Sequence, residues 1–198
     1  RCPVDIIGLT TDESTYRKLA LSWGVTPALC EKYPSTDVLF YTAKKIVTKE
    51  LGLQKGDRIV ITGGVKKIGD YAFANCSKLD NVVLADTITA IGNYAFFACD
   101  MLESFDIPAT VTTIGNYAFH ENLGLTSIVI PEGVTTIGNY AFYECANLSS
   151  VTLPNSLTSI GEGAFWGCTN LKMACFRGNA PSETEKNVFL NAHPDFRI

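Results

Sequence analysis

The chain has 198 residues, of which 46% are hydrophobic, so it is long enough to bury one or two cores. Its formal net charge of −4 provides no basic field, which disfavours a nucleic-acid partner. No apolar run is long enough to cross a bilayer, and we expect no membrane insertion. The chain begins with Arg1 rather than Met, which suggests an excised, processed or truncated piece.

Apolar runs and helical patterns alternate in the first 58 residues. VDIIGLT (residues 4–10), VTPALC (residues 25–30) and Arg58–Ile61 are predicted to be strands. Two helical patterns separate them, at 10–24 and 35–52, each opened by N-cap residues and ended by a glycine. This strand-helix-strand-helix-strand order predicts an α/β unit with parallel strands.

The segment CPVDIIGLTTDESTYRKLALSWGVTPALCEKYPSTD, with GLQKGDRIVITGG after it, resembles the C-terminal domain of pyruvate kinase. In that family the domain does no chemistry; it supplies subunit contacts and, in many members, an effector site for a sugar phosphate. The family's catalytic barrel would lie upstream of Arg1, and the domain's first strand, its phosphate loop and its final strand have no counterpart here. The resemblance implies a truncated α/β sandwich with no catalytic, cofactor-binding or metal-binding residue.

A 23-residue repeat fills the rest of the chain. IGDYAF begins at Ile68, IGNYAF at Ile91, Ile114 and Ile137, and IGEGAF at Ile160, so each copy starts 23 residues after the last. A Leu-x-x-apolar-x-apolar pattern predicts one short, half-buried strand in each copy. We interpret the Ile-Gly-x-x-Ala-Phe-x-x-Cys segment as a short helix. Because no coil can bury its own apolar side, the coils are expected to stack into a solenoid.

The pattern Ile-Gly-x-x-Ala-Phe-x-x-Cys-x-x-Leu resembles the BspA-like leucine-rich repeats, from residue 59 to about residue 180. FRGNAPSETEKNVF (Phe176–Phe189) is similar to the closing segment of that family, and Pro181, Val188 and Phe189 are candidates for the cap over the last coil. The resemblance implies a right-handed solenoid of 23-residue coils that functions in adhesion or host-protein binding.

The two predicted domains overlap at one strand. Residues 1–58 form the α/β segment and residues 59–198 form the solenoid with its C-terminal cap, with the strand at 59–64 shared. Ile59-Val60-Ile61 has the same repeat phase as Val82-Val83-Leu84, so one β-ladder is predicted to run from the α/β unit into the first coil. On the other flank, either VDIIGLT pairs directly with RIVIT or the natural polypeptide continues upstream. The α/β segment would then cap the solenoid.

Cysteines and histidines were considered as ligands or catalytic groups. Four cysteines recur at the repeat period, with Asn122 in the remaining place, and we expect buried reduced thiols because the parallel Cβ directions of a ladder oppose disulfides. These cysteines are Cys76, Cys99, Cys145 and Cys168. His120 and His193 are the only histidines, and neither has a Cys, Asp or Glu at ligand spacing in the sequence, so we expect neither to be catalytic.

Two surfaces are candidates for binding. Outward positions of the hexapeptide segment carry two aromatic rows, which either bind a partner or cover neighbouring coils. The rows contain Tyr71, Tyr94, Phe97, Tyr117, His120, Tyr140, Tyr143 and Trp166. The strand-lined face is small and polar, and it is either a binding face or a solvated sheet. It exposes Asn81, Ser104, Asp106, Ser127, Ser150 and Thr152, together with Val83 and Val129.

These patterns favour a non-enzymatic interaction module that binds a protein, a glycan or another cell-surface ligand through the solenoid. Self-association through the aromatic rows is a further expectation, and no cofactor is expected. The alternative is the regulatory or oligomerisation region of a larger enzyme similar to pyruvate kinase. A third hypothesis makes the α/β piece only an N-terminal cap. The repeats imply the cell surface and the first segment implies the cytoplasm, so the sequence assigns no compartment.

Overall fold

The computed structural model describes residues 6–10, 25–29, 58–61, 66–179, 181, 183–184 and 186–198, with side chains from Lys66 onward except at 183–184. In these ranges the chain forms thirteen strands joined by turns. No helix within them is long and apolar enough to span a membrane. The helices predicted at 10–24 and 35–52 lie outside the described residues.

Two strands near the N-terminus pair with each other. β1 (Ile6–Thr10) and β2 (Val25–Leu29) are parallel, and Ile6 lies opposite Val25. Apolar runs bounded by turn residues favour strands at these positions. The parallel pairing is the one that the α/β order predicted.

From residue 58 onward, long and short strands alternate along the chain, except that two short strands follow each other across residues 92–112. The long strands are β3 (Arg58–Ile61), β5 (Asn81–Leu84), β8 (Ser127–Val129), β10 (Ser150–Leu153) and β12 (Met173–Phe176). The short strands are β4 (Lys67–Ile68), β6 (Ala90–Ile91), β7 (Thr113–Ile114), β9 (Thr136–Ile137), β11 (Ser159–Ile160) and β13 (Glu183–Thr184).

The coils stack in parallel with one repeat period between partners. The short strands form one sheet in the order β13-β11-β9-β7-β6-β4, and the long strands form the sheets β12-β10-β8 and β3-β5. Ile91 pairs with Ile114, and Ile114 pairs with Ile137. Each side chain therefore lies over its own counterpart in the next coil, which confirms the predicted solenoid.

The ladder of long strands is interrupted at residues 104–107. The sequence predicted a strand there, and the alternation is present, since Ser104 and Asp106 are exposed while Phe105 and Ile107 are buried. These residues nevertheless form no strand, so the ladder of long strands has a gap between β5 and β8. Phe105 carries a larger side chain than its counterparts, and its ring packs edge-on against two core phenylalanine rings at 4.8 Å each. The predicted burial pattern is confirmed, whereas the prediction of a strand at 104–107 was wrong.

β3 joins the first coil as predicted. Arg58 pairs with Asn81 and Ile61 pairs with Leu84, in the same parallel register as every later step. Among the described strands, β3 pairs with β5 alone, and β1 and β2 form a separate sheet. The predicted pairing of β3 with the first coil is therefore present, whereas the alternative in which VDIIGLT pairs directly with RIVIT is not found among these strands.

The hexapeptide segment is a chain of turns, and the prediction of a short helix was wrong. The N–H groups of Phe119 and Glu121 donate to the carbonyls of Ala141 and Tyr143 in the next coil, at 2.7 and 2.9 Å. An α-helix would use these donors within its own segment. Tyr117 and Glu121 have φ angles of 55° and 56°, in the left-handed region that interrupts a helix.

Stacked phenylalanine rings form the centre of the core. The ring of Phe119, which is fully buried, lies 5.3 Å from that of Phe96 and 5.2 Å from that of Phe142 between centroids. The isoleucine of each hexapeptide and the leucine that follows it are buried around this column. Because truncating a buried phenylalanine costs about 3–5 kcal/mol, these side chains dominate the contact between coils.

The chain after β13 lies against the last hexapeptide turn. The N–H of Phe165 donates to the carbonyl of Val188 at 2.8 Å, and the ring of Phe189 stacks on that of Phe165 at 5.5 Å. Val188 is 7% exposed, and Pro181 is buried. Val188 and Phe189 thus lie where the last coil would otherwise expose an apolar end.

Candidate interaction surface

Four tyrosines form a stack on the turn side of the solenoid. The ring centroids of Tyr71 and Tyr94 are 4.7 Å apart, those of Tyr94 and Tyr117 are 4.7 Å apart, and those of Tyr117 and Tyr140 are 5.1 Å apart. Tyr71 is 56% exposed, and the other three are half-buried. Stacking covers both faces of the inner rings, so their edges and hydroxyl groups are what a partner can contact.

A second row lies beside the first. The His120 ring is 5.1 Å from that of Phe97 and 4.9 Å from that of Tyr143, and Trp166 follows 5.7 Å beyond Tyr143. The rows meet edge to face, with Tyr140 and Tyr143 5.7 Å apart at 89°. The structure therefore brings all eight predicted aromatic residues together, although on a series of turns rather than on a helix.

The tyrosines occupy a backbone conformation that suits glycine. Tyr94, Tyr117 and Tyr140 have φ angles of 53°, 55° and 55°, and Gly163 adopts 57° at the same position of the last hexapeptide. A residue with a Cβ loses about 1–2 kcal/mol in this region. Aromatic pairs contribute about 0.5–1.5 kcal/mol each beyond their buried area, which offsets that loss. The rings therefore contribute to the packing between coils.

Carboxylates lie beside the aromatic rows. Hydrogen bonding to Glu144 raises the pKa of Tyr143, and burial together with Glu162 raises the pKa of Tyr140. Residues 79–171 contain no lysine or arginine, and they carry nine acidic residues. These are Asp80, Asp86, Asp100, Glu103, Asp106, Glu121, Glu132, Glu144 and Glu162. The central coils therefore carry charge of a single sign.

Both histidines have acidic neighbours, which corrects the prediction that they have none at ligand spacing. Nε2 of His120 is 3.2 Å from Oε1 of Glu121, and the donor atoms of these residues and Glu144 lie within 4.8 Å of one another. Nδ1 of His193 is 3.7 Å from Oδ2 of Asp195. Burial lowers the pKa of His120, and its two glutamates oppose that shift. The repeat period brings Glu144 to His120, a relation that a search within one coil misses.

The cysteine ladder consists of buried thiols that bond to the backbone. Sγ of Cys145 donates to the carbonyl of Phe119, and Sγ of Cys168 donates to that of Phe142, at 3.1 Å each. Neither cysteine is in a disulfide. Burial raises the pKa of the Cys145 thiol to about 12. For these two positions the prediction of buried, reduced thiols is confirmed.

Asn122 replaces cysteine in one coil. Its side chain is fully buried, and Nδ2 donates to the carbonyl of Phe96 at 2.7 Å, as the thiols do in other coils. Its Oδ1 is buried without a hydrogen-bond partner in the described part of the chain. A buried, unpaired acceptor costs about 1–3 kcal/mol.

The residues predicted for the strand-lined face all lie on the outside. Val83 and Val129 are 48% and 53% exposed on the same face. The polar residues are exposed or half-buried; they are Asn81, Ser104, Asp106, Ser127, Ser150 and Thr152. This face has small side chains and no aromatic residue among these positions, in contrast to the turn side.

Comparison with known proteins matches both parts of the chain. The family described as BspA type leucine rich repeat region matches residues 52–172 in six copies. The pyruvate kinase alpha/beta domain matches residues 1–79. Both resemblances predicted from the sequence are confirmed, and the two matches overlap across β3.

The curated relatives match only the first part. Pyruvate kinase from Lactococcus lactis is 41% identical over 61 residues, which are 31% of this chain and 12% of that enzyme. Pyruvate kinase from Clostridium acetobutylicum is 42% identical over 60 residues, or 30% of this chain and 13% of the enzyme. The chain thus spans a small fraction of the length of these relatives.

Solved structures resemble the repeats. A leucine-rich cell surface protein from Faecalibacterium prausnitzii is 34% identical with a TM-score of 0.61, over 63% of this chain and 33% of the other. A leucine-rich repeat protein from Bacteroides ovatus is 40% identical with a TM-score of 0.55, over 59% and 30%. The T. pallidum leucine-rich repeat protein is 28% identical with a TM-score of 0.54, over 64% and 72%. With its repeat match covering more than half of its length, the chain belongs to the BspA-type leucine-rich repeat family.

Proposed function

We propose that the chain is a non-enzymatic interaction module that binds a protein through its two aromatic rows. The observation that carries this proposal is a continuous surface of eight aromatic side chains beside carboxylates, of which all but Tyr71 lie in the stretch 79–171 that has no basic residue. Tyrosine and tryptophan are enriched at protein interfaces and among the residues that dominate binding energy. The fold supplies the surface, and the ligand follows from the chemistry of these side chains.

The charge of the surface favours a basic partner segment. The carboxylates of Glu121, Glu144 and Glu162 lie next to the rings, and no lysine or arginine in residues 79–171 opposes them. Arginine and lysine side chains bind carboxylates through charge-assisted hydrogen bonds. We expect an affinity that falls as the salt concentration rises.

A protein ligand fits the tyrosine row better than a glycan. Sugars pack on open aromatic faces, and the faces of Tyr94 and Tyr117 are covered by their neighbours at 4.7 Å. A cell-surface role is supported by the similar F. prausnitzii protein, which is described as a cell surface protein. The ligand that we propose is therefore a basic protein segment at a cell surface.

Selection from a displayed peptide library tests this function. The wild-type chain should enrich lysine- and arginine-containing peptides, and the Tyr117→Ser/Tyr140→Ser variant should lose that enrichment. Ser127→Lys and Ser150→Lys change the charge of the strand-lined face and serve as controls that should keep binding. Binding that survives the tyrosine changes but is lost in the serine variants would assign the site to the strand-lined face instead.

Self-association through the aromatic rows is a second use of the same surface. Exposed aromatic patches drive association when a complementary surface is present. Sedimentation of the wild-type chain should then show a dimer that the Tyr117→Ser/Tyr140→Ser variant lacks. A wild-type chain that stays monomeric at high concentration would exclude this use.

We propose further that residues 1–58 cap the solenoid. The in-register pairing of β3 with β5 supports this, because the strand beside the first coil belongs to the part similar to pyruvate kinase. An uncovered first coil exposes a strand edge and apolar side chains. Deleting residues 1–58 should therefore cause concentration-dependent aggregation. A deletion variant that stays soluble and folded would contradict the role.

The second candidate function is the regulatory region of a longer enzyme similar to pyruvate kinase. The match of residues 1–79 to the alpha/beta domain favours it. This candidate requires a catalytic barrel encoded upstream of Arg1, and the genomic reading frame decides that. The chain by itself should form no pyruvate from phosphoenolpyruvate; measurable turnover would refute the non-enzymatic assignment.

A further inference from the structure

Three possible ligand atoms from two consecutive coils meet at one place on the turn side. They belong to His120 and Glu121 in one coil and to Glu144 in the next, and they all lie within 4.8 Å of one another. We propose that these three side chains bind a divalent transition-metal ion such as Zn²⁺. The proposal does not depend on the binding function above, since it requires no protein partner.

The distances suit a single tetrahedral ion. Zinc lies about 2.0–2.2 Å from nitrogen and oxygen ligands, which in tetrahedral geometry places two such ligands about 3.3–3.6 Å apart. Nε2 of His120 and Oε1 of Glu121 are already 3.2 Å apart. A donor atom within 4.8 Å, such as that of Glu144, needs to approach by at most about 1.5 Å, which a carboxylate side chain achieves by rotation. Water would complete the coordination.

The donor types select among metals. One imidazole with two carboxylates suits Zn²⁺ and its first-row neighbours, whereas Ca²⁺ and Mg²⁺ prefer oxygen ligands alone. Nδ1 of His120 is buried without a hydrogen-bond partner in the described residues, and Nε2 is 3.2 Å from Oε1 of Glu121. A metal ion between Nε2 and Oε1 would replace this direct contact and leave Nδ1 as the protonated nitrogen.

The fold holds the ligands in place and gives the ion an electrostatic role. The imidazole ring is packed between Phe97 and Tyr143 at 5.1 and 4.9 Å. Glu121 and Glu144 are separated by one repeat, and both have left-handed backbones, with φ angles of 56° and 55°. Two carboxylates on neighbouring coils repel each other, and no basic residue lies in residues 79–171 to neutralise them. A divalent cation removes that repulsion.

This combination of ligands is specific to one place in the repeats. The positions equivalent to His120 carry Phe97, Tyr143 and Trp166 in other coils. Across the described residues, it is the one group of three such side chains close enough to hold a metal. Because Phe97 occupies the same position in its own coil, His120→Phe removes the nitrogen ligand while keeping an aromatic ring in the row.

Calorimetric titration with Zn²⁺ tests the site. Cys175→Ser is used as the background, because that thiol is exposed and could bind zinc by itself. We expect one ion per chain, with at least tenfold weaker binding after either His120→Phe or Glu144→Gln, and no heat of binding with Mg²⁺. Unfolding midpoints measured with a chelator present should match those of the background, which shows that the variants fold.

Two controls make the result decisive. His193→Gln, at the other histidine, should leave the affinity unchanged. Co²⁺ bound in place of Zn²⁺ should give the visible spectrum of nitrogen and oxygen ligands, without a thiolate charge-transfer band. Absence of binding to the background chain would overturn the proposal. So would binding that is unaltered in both His120→Phe and Glu144→Gln.

Discussion

Replacing Asn122 by cysteine should stabilise the protein. Asn122 occupies the cysteine position of its coil, where its amide donates to the carbonyl of Phe96 at 2.7 Å and leaves Oδ1 buried without a partner in the described residues. A thiol at this position keeps a donor for the same carbonyl, as Cys145 and Cys168 do at 3.1 Å in later coils. It introduces no unpaired oxygen.

The expected magnitude follows from two opposing terms. Removing the buried, unpaired oxygen gains about 1–3 kcal/mol, and exchanging an amide donor for a weaker thiol donor loses part of a bond that contributes about 0.5–1.5 kcal/mol. The net change is a stabilisation of about 1 kcal/mol. For a chain of this size that corresponds to a rise in Tm of about 2–4 °C.

The reciprocal substitution provides the matched control. Cys145→Asn places the same amide in a coil that now has a thiol, so it should create an unpaired oxygen and destabilise the protein by about 1–3 kcal/mol. Both variants are compared by urea unfolding in the presence of a reductant, because Asn122→Cys adds a thiol to the ladder. An unchanged m value shows that the midpoint reports stability. Destabilisation by Asn122→Cys, or tolerance of Cys145→Asn, would refute the reasoning and indicate that Oδ1 has a partner such as a bound water.

Three further predictions concern other repeated features. Gly138→Ala should destabilise by about 1–3 kcal/mol in the same unfolding assay, because its Cβ would lie 2.6 Å from the backbone nitrogen of Asn116 in the preceding coil; a neutral result would contradict the close approach. Asn116→Ala should cost about 0.5–1.5 kcal/mol, since Oδ1 accepts from the N–H of Asn139 at 2.8 Å, and Asn116→Asp should restore the acceptor and the stability. Burial raises the folded-state pKa of Cys145 to about 12, above an unfolded value of about 8.5. The stabilisation that this neutral thiol contributes to the folded state is therefore complete below about pH 8.5 and is lost as the pH rises towards 12. Alkylation of the folded chain near pH 8 should accordingly label Cys175 and spare Cys145, and mass spectrometry showing rapid labelling of Cys145 would contradict its burial.

Most of the solenoid could be predicted from the repeat period. A sequence that repeats every 23 residues places each residue over its counterpart, so the pairing of Ile91 with Ile114 follows from the sequence alone. Burial follows as well, because the alternation in each strand has a single apolar side. The interruption at 104–107 was not predictable from that pattern, since Phe105 fits the apolar position and differs only in size.

The turn segment was misjudged because its apolar spacing also fits a helix. Ile, Ala and Phe at these positions lie on one helical face, but the segment uses alternate N–H groups to bond the next coil. A signal was available in the sequence: Gly163 and Gly167 replace Tyr140 and Glu144 one repeat later, and glycine favours left-handed backbones. All four positions have positive φ angles in the structure.

Predicting the proposed metal-binding cluster requires both the repeat period and the knowledge that consecutive coils pair in register. His120 and Glu144 are separated by one repeat and one residue, which no ligand motif within a single coil includes. Once coils are known to stack in register, residues 23 and 24 apart become neighbours. Searching for acidic residues at those separations would have identified the cluster from the sequence.

The constant register has a consequence for how this chain can change in length. Each coil offers its successor the same hydrogen-bonding edge and the same apolar layer that it receives from its predecessor. Tandem duplication of one whole 23-residue unit between residues 91 and 160 would therefore preserve every interface, whereas an insertion of another length would shift isoleucine columns and phenylalanine stacks out of alignment. Such chains can be lengthened or shortened by recombination in whole units, and the closing segment serves any number of them.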